Sequence, residues 1–283
     1  MSLIGSSNGL VTNNQIRSIA ILVIIVLTFT GWWWPPAPLP LSKSVAMPSQ
    51  PSAMTPTLSL PVTSGNWHIT AVYRELPKPP PPGLSKFSED GIDWYGQVEQ
   101  DATVANILGY RTGGFFVDMA ANEALVLSNT FSFEHFFSWD GLCIEANPVV
   151  AQGHFAHRRC ALVQAAVGST DGEQVVFDFR DGSGIYGGLV GQQFDNVKDS
   201  RTSRTLTSVS VETIFRDFKV PPVIDYLNLD LEGAEWFAFQ HFPWSNFTFL
   251  AITVERPSFE LRDDLHSHGY IFLCDNGDFG ESV

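Results

Sequence analysis

From Tyr95 onward the hydrophobic positions switch repeatedly between a helical and an extended period. Val98, Ala102, Ala105 and Leu108 keep one helical face, with Gly109 as its stop, so a helix precedes the first strand. Gly114-Phe115-Phe116-Val117-Asp118 then forms an apolar run that predicts a strand buried on both faces. Very small residues follow, and helical spacing resumes through Leu125, Leu127, Phe131 and Phe137. The alternation continues with strands over Leu142–Glu145, Ala161–Gly168, Val223–Asp230, Phe249–Glu255 and Tyr270–Leu273. Helices are expected over Pro148–Arg159, Val211–Phe218 (capped by Ser210), after Leu231–Glu235 to about His241, and over Glu260–His266. Val175–Phe179 reads as an alternating edge segment, and Gly182 to Asn196 as a Gly-rich loop suited to substrate contact or closure. Strands alternating with helices predict an α/β domain with a mostly parallel sheet and helices on both faces.

The amino-terminal third breaks this pattern. Ile16 to Trp34 is a 19-residue apolar segment with Arg17 near its start and three tryptophans at its end. At ~1.5 Å per residue a helix of that length just spans a hydrocarbon core of about 30 Å. The expectation is a signal-anchor over residues 16–34 behind a short tail (1–15), with a cleaved signal peptide as the competing reading. Residues 35–83 are rich in Pro, Ser and Thr and read as a disordered stalk, with Trp67–Tyr73 a strand-like exception that could touch the domain. Residues 84–283 form the globular domain. Arg17 favours a cytoplasmic amino terminus, which places the domain on the luminal side of a Golgi or other secretory-pathway membrane.

Charge and cysteine content narrow the chemistry. The 283-residue chain has a net charge of −14, with few Lys and Arg to make a basic face, so nucleic acid is disfavoured and not expected as a partner. Cys143, Cys160 and Cys274 lack metal-ligand spacing, and their odd number argues against a full disulfide framework. Cys143 and Cys160 lie in apolar runs and are expected as buried thiols. His154 and His157 are read with Arg158 and Arg159 as a solvated helix face. The one sequon, Asn246-Phe247-Thr248, has aromatic surroundings that suggest burial.

The first strand ends in a carboxylate. A dinucleotide site needs glycine there, so that pyrophosphate can approach backbone amides, and Asp118 would repel it. An anion suits a cofactor with an amine or a positive centre, such as S-adenosylmethionine; the competing reading is an ordinary strand-to-helix turn. Glu145 ends the next strand, 27 residues after Asp118, near the spacing at which an acid accepts from ribose hydroxyls. Asp230, Glu232 and Glu235 converge at the mouth of the sheet.

Several of these segments together resemble the FkbM-like family of S-adenosylmethionine-dependent methyltransferases, from about Tyr95 to Glu281. They are Gln97-x-x-Gln100-Asp101, Gly114 to Asp118, Leu127-Ser128-Asn129-Thr130, Gly141 to Pro148, Ile224 to Glu235 and Val254-Glu255-Arg256-Pro257. The resemblance implies a Rossmann-like class I methyltransferase fold and methyl transfer to oxygen, often on sugars or other small hydroxylated molecules. It places Asp118, Ala120, Asn122 and Glu123 at the methionine end of the cofactor and Glu145 on the ribose. Ala165 and Ala166 would flank the adenine, with Asn129 and Asn147 among the cofactor-binding positions. Asp230 with Glu232 would face the methyl-transfer centre, and Glu235 and His241 are further candidate bases. A divalent metal between Asp230 and Glu255 is conceivable, but no metal ligand is assigned. Two departures stand out. Ala120 and Ala124 replace common glycines, and the chain stops where the family usually continues into another strand, so either that strand is missing or the product is shortened.

The resulting expectation is a membrane-anchored O-methyltransferase acting on a small-molecule or glycan hydroxyl. A non-catalytic luminal binding or trafficking module is the alternative. A nicotinamide oxidoreductase is disfavoured by the absence of Gly-x-Gly-x-x-Gly.

Overall fold

The computed structural model describes residues 23–27, 68–69, 79–180, 187–196, 198–199 and 201–274. In chain order these begin with β1 (Val23–Leu27), β2 (His68–Ile69) and the hairpin β3 (Phe87–Glu89) and β4 (Ile92–Trp94). The domain proper follows as α1 (Gln100–Ile107), β5 (Phe115–Met119), α2 (Phe131–Phe136), β6 (Asp140–Ile144), α3 (Pro148–His157) and β7 (Ala161–Gln164). Next come β8 (Ala166–Gly168), β9 (Gln174–Asp178), β10 (Gly188–Leu189), β11 (Ser203–Ser210) and α4 (Val211–Asp217). The chain closes with β12 (Val223–Leu229), α5 (Glu235–Phe239), β13 (Thr248–Glu255), α6 (Phe259–Ser267) and β14 (Ile271–Cys274).

Eight strands form one sheet in the order β14-β1-β13-β12-β5-β6-β7-β2, in which only the β2–β7 pair is antiparallel. Strand alternation divides β5 between two cores: Val117 and Met119 join one, Phe116 the other. The first core takes Phe215 of α4, Phe239 of α5 and Leu261 of α6; the second takes Val104 of α1 and Phe133 of α2. Helices therefore cover both faces, as the α/β pattern predicts. A smaller four-stranded sheet, β10-β9-β11-β8, lies beside it.

Several sequence expectations are corrected. The helix expected from Leu125 begins only at Phe131, because Leu127 adopts φ +60° and Arg158 binds the intervening loop through Ala124 O, Ser128 Oγ and Thr130 Oγ1. The single strand expected over Ala161–Gly168 is two: β7 pairs with β6, and β8 with β11 in the smaller sheet. β11 escaped the sequence reading because its run, Ser-Arg-Thr-Leu-Thr-Ser-Val-Ser, is polar on both faces. Cys143 and Cys160 are not free thiols but a buried disulfide, linking β6 to the residue just before the adjacent strand β7. His154 and Arg158 are buried rather than solvated, and burial with the Arg158 charge pushes the His154 pKa down to about 3, so its imidazole is neutral. Asn246 of the sequon is exposed.

Residues 23–27, the centre of the expected membrane helix, form a strand paired in parallel with β13 and β14. Its Val-Ile-Ile-Val run is β-branched, and periodicity cannot separate a fully buried strand from an apolar helix. The rest of the 16–34 segment and most of the 35–83 stalk lie outside the described residues, and among those described no helix is long and apolar enough to cross a membrane. Within the strand-like exception, His68–Ile69 pairs with β7 at the sheet's edge.

Candidate functional site

β5 leads on to β6 and β7 on one side of the sheet, while β12, β13 and β14 lie on the other. The strand order reverses between β5 and β12, and ligands of open α/β sheets bind outside the strand ends at such a point. A cleft open to solvent lies there. The turn after β5 contributes Ala120 and Asn122, and the end of β6 contributes Glu145 and Asn147. Ala165 and Val167 come from the β7–β8 segment, Gly188 and Leu189 from β10, and Asp230 and Glu232 from the turn after β12.

Glu145 is buried at the cleft and anchored by backbone amides. Its Oε2 accepts from Asn122 N at 2.9 Å and its Oε1 from Asn147 N at 2.7 Å. Burial outweighs these bonds and pushes its pKa up to about 7. A carboxylate can accept about four such bonds, so it keeps capacity for a ligand hydroxyl. Asn147 also caps α3, its Oδ1 accepting from Val149 N at 3.0 Å, so this turn is fixed from both ends.

Asp118 lies elsewhere. Alternation turns it to the face that carries Phe116, away from the cleft lining. There its Oδ1 accepts from Asn228 Nδ2 at 2.9 Å and its Oδ2 from Thr130 Oγ1 at 2.5 Å. Burial raises its pKa, and the Arg158 charge pulls the other way. Asn129 belongs to the same network, donating to Asn228 Oδ1 at 3.0 Å and accepting from Gln97 N at 3.2 Å. Glu123 is exposed and outside the lining, and Ala166 gives its place to its neighbours Ala165 and Val167. Of the two alanines in place of glycines, Ala120 adopts φ +61° and lines the cleft, whereas Ala124 has no positive φ and is buried against α3 beside Gly153.

The acids beyond β12 divide by role. Glu235 points into its own turn, its Oε1 accepting from Leu231 N at 2.7 Å and Gly233 N at 3.2 Å, and it does not line the cleft. His241 is exposed and also outside it. Asp230 and Glu232 do line it, and with Glu255 at the end of β13 they offer carboxylate oxygens all within 4.8 Å of one another. Burial, then the Glu255 charge, push Glu232 up to about 7 and Asp230 well above the usual carboxylate range.

Sequence reasoning missed the cation here. Arg256 Nη2 contacts Asp195 Oδ2 at 2.6 Å, Glu255 Oε2 at 3.1 Å and Glu232 Oε2 at 3.2 Å. It ties the segment after β10 to the ends of β12 and β13. Asp195 lies sixty-one residues from Arg256, so no local pattern could signal the pair.

No curated protein and no solved structure matches the chain significantly. The family model of the methyltransferase FkbM domain matches residues 116–277, which include β5, β6, β12 and every cleft-lining position named above. That match covers more than half of the chain, and the protein belongs to the FkbM methyltransferase family.

Proposed function

We propose that the protein is an S-adenosylmethionine-dependent O-methyltransferase acting on a hydroxyl of a small molecule or glycan. The observation that carries this reading is Glu145: a buried carboxylate at the cleft, oriented by two backbone amides, one strand away from the switch point. Such an acid suits a ribose diol, and the small side chains of Ala165 and Ala146 leave room for a flat base beside it. When bound, S-adenosylmethionine supplies an electrophilic methyl group on a sulfonium. The chain would orient the acceptor hydroxyl against it, and Asp230 or Glu232 would take the hydroxyl proton as the oxygen–methyl bond forms and the sulfur–methyl bond breaks, leaving the neutral thioether. The Glu232 pKa, pushed up to about 7, suits a group that must accept a proton at neutral pH.

A second reading, a non-catalytic relative, is favoured by two observations. Ala120 holds positive φ where the family has glycine, and Asp118 is committed to Thr130 and Asn228. Calorimetric titration of the full chain with S-adenosylmethionine separates the two. Binding that Glu145→Ala reduces at least tenfold supports the enzyme; no heat at millimolar cofactor sinks it.

A luminal location in the secretory pathway belongs to the same proposal, on grounds other than a membrane helix, since residues 23–27 pair within the sheet. The Cys143–Cys160 disulfide supports it, since such bonds persist in oxidising compartments. Exposure of Asn246 supports it as well. Endoglycosidase treatment of the chain from secretory cells should shift its mobility, and Asn246→Gln should remove the shift.

A further inference from the structure

We propose that Asp230, Glu232 and Glu255 form a divalent-cation site at the cleft, binding a hard ion such as Mg²⁺ or Mn²⁺. The purpose of the site rests on the methyltransferase reading, since the ion would coordinate the acceptor hydroxyl; its existence does not.

Three carboxylates, two from the turn after β12 and one from the end of β13, reach within 4.8 Å of one another. Among the described residues the one cation ion-paired with them is Arg256, and its Nη2 is shared with Asp195 as well. Arg256 bonds the Oε2 atoms of Glu232 and Glu255, so each retains a second oxygen. An arginine on the outer oxygens thus leaves the group under-neutralised and still able to chelate.

Two further observations point to a ligand. Asp230 Oδ1 is shut off from solvent and receives no hydrogen bond from a donor among the described residues. The Asp230 carboxyl meets that of Glu255 at hydrogen-bond distance, two like groups that need a proton or a cation between them. Asn196, fully buried, likewise has neither side-chain atom partnered. Its amide nitrogen and the Glu232 Cβ crowd the same point in front of Gly188, so this amide flanks the acids. Unmade hydrogen bonds in the interior are costly; a cation among the carboxylates would satisfy Asp230 Oδ1, and the Asn196 amide nitrogen beside them could donate to a ligand of that cation. The donor set is all oxygen, the chemistry of Mg²⁺, Mn²⁺ or Ca²⁺ rather than of zinc. A bound ion would lower the pKa of a coordinated hydroxyl, whose proton passes to a neighbouring carboxylate while its oxygen takes the methyl group.

The test is a titration of the full chain with Mn²⁺, following the free-ion signal by electron paramagnetic resonance, without cofactor at pH 7.5. One ion should bind per chain and be displaced by Mg²⁺. Asp230→Asn and Glu255→Gln should each weaken binding at least tenfold, while the exposed Glu260→Gln leaves it unchanged. Both cluster variants should melt no lower than the metal-free parent, because each relieves repulsion; this separates lost coordination from lost folding. Unperturbed free Mn²⁺, or equal binding by the parent and both cluster variants, would overturn the site. A chain that binds S-adenosylmethionine but no Mn²⁺ would end this inference and leave the methyltransferase reading standing.

Discussion

Two sets of buried acids sit on the same sheet and are neutralised in opposite ways. Around Asp118, one buried arginine and a set of hydrogen bonds hold two carboxylates. Arg158 lies between the rings of Phe116 and Phe131 and bonds Glu134, Ser128 and Thr130, while Asn228 and Thr130 hold Asp118. Glu134 in turn accepts from the amides of Arg159 and Cys160. Around Asp230, one half-exposed arginine serves three carboxylates, and Asp230 Oδ1 receives no hydrogen bond from a donor among the described residues. The first arrangement fixes the β5–α2 connection, and its acids are satisfied without a ligand. The second is expensive unless protons or a cation arrive, the condition of a binding site. Two carboxylates that look alike at strand ends thus belong to different levels of the molecule, one to folding and one to chemistry.

The contrast can be broken most sharply at Arg158. Arg158→Met leaves Glu134 and Asp118 without their cation and should destabilise the chain by about 3–5 kcal/mol in urea unfolding; a change under 1 kcal/mol would show that this network is not structural. On the same side, the Cys143–Cys160 bridge closes a short loop of sequence separation 17. The paired Cys143→Ser and Cys160→Ser variant should lose about 2–4 kcal/mol, read by the same method.

The acid side should respond to pH. Glu232 has a folded pKa near 7, above its unfolded value, so the folded chain binds the proton more tightly. That contribution is fully present below about pH 4.5 and is lost as pH rises through 7. Glu145 and Glu235 carry the same sign. The metal-free melting temperature should fall between pH 5 and 8, with Glu232 contributing on the order of 2 kcal/mol after solvent screening. A profile that Glu232→Gln leaves equally steep would contradict this. The smallest effect lies between the two regions, where Ala120 holds φ +61°. Ala120→Gly should stabilise by about 1 kcal/mol, the strain of a left-handed alanine less the added freedom of the unfolded glycine. Thermal melts with and without S-adenosylmethionine would show whether the same change also eases cofactor entry.

Most of the strand-helix order was legible because β5, β6, β12 and β13 are apolar runs whose period needs no partner to be read. Glu145, Asp230 and Glu232 were legible as cleft residues for a related reason: a strand's last residue lies at the sheet's edge wherever the strand goes. The face of Asp118 was not legible, because one step of alternation separates the cleft from the core and only the packed sheet says which is which. Nor were Arg158, Arg256 or the Cys143–Cys160 bridge, since each finds partners far along the sequence. Residues 23–27 are the clearest case: an apolar run is equally content in lipid or in a sheet, and the neighbours β13 and β14 decided. By itself, then, the sequence determined the α/β order and the strand-end acids, which follow from local periodicity. Only the tertiary structure decided which of those acids are neutralised, because charge compensation depends on distances that no local pattern encodes.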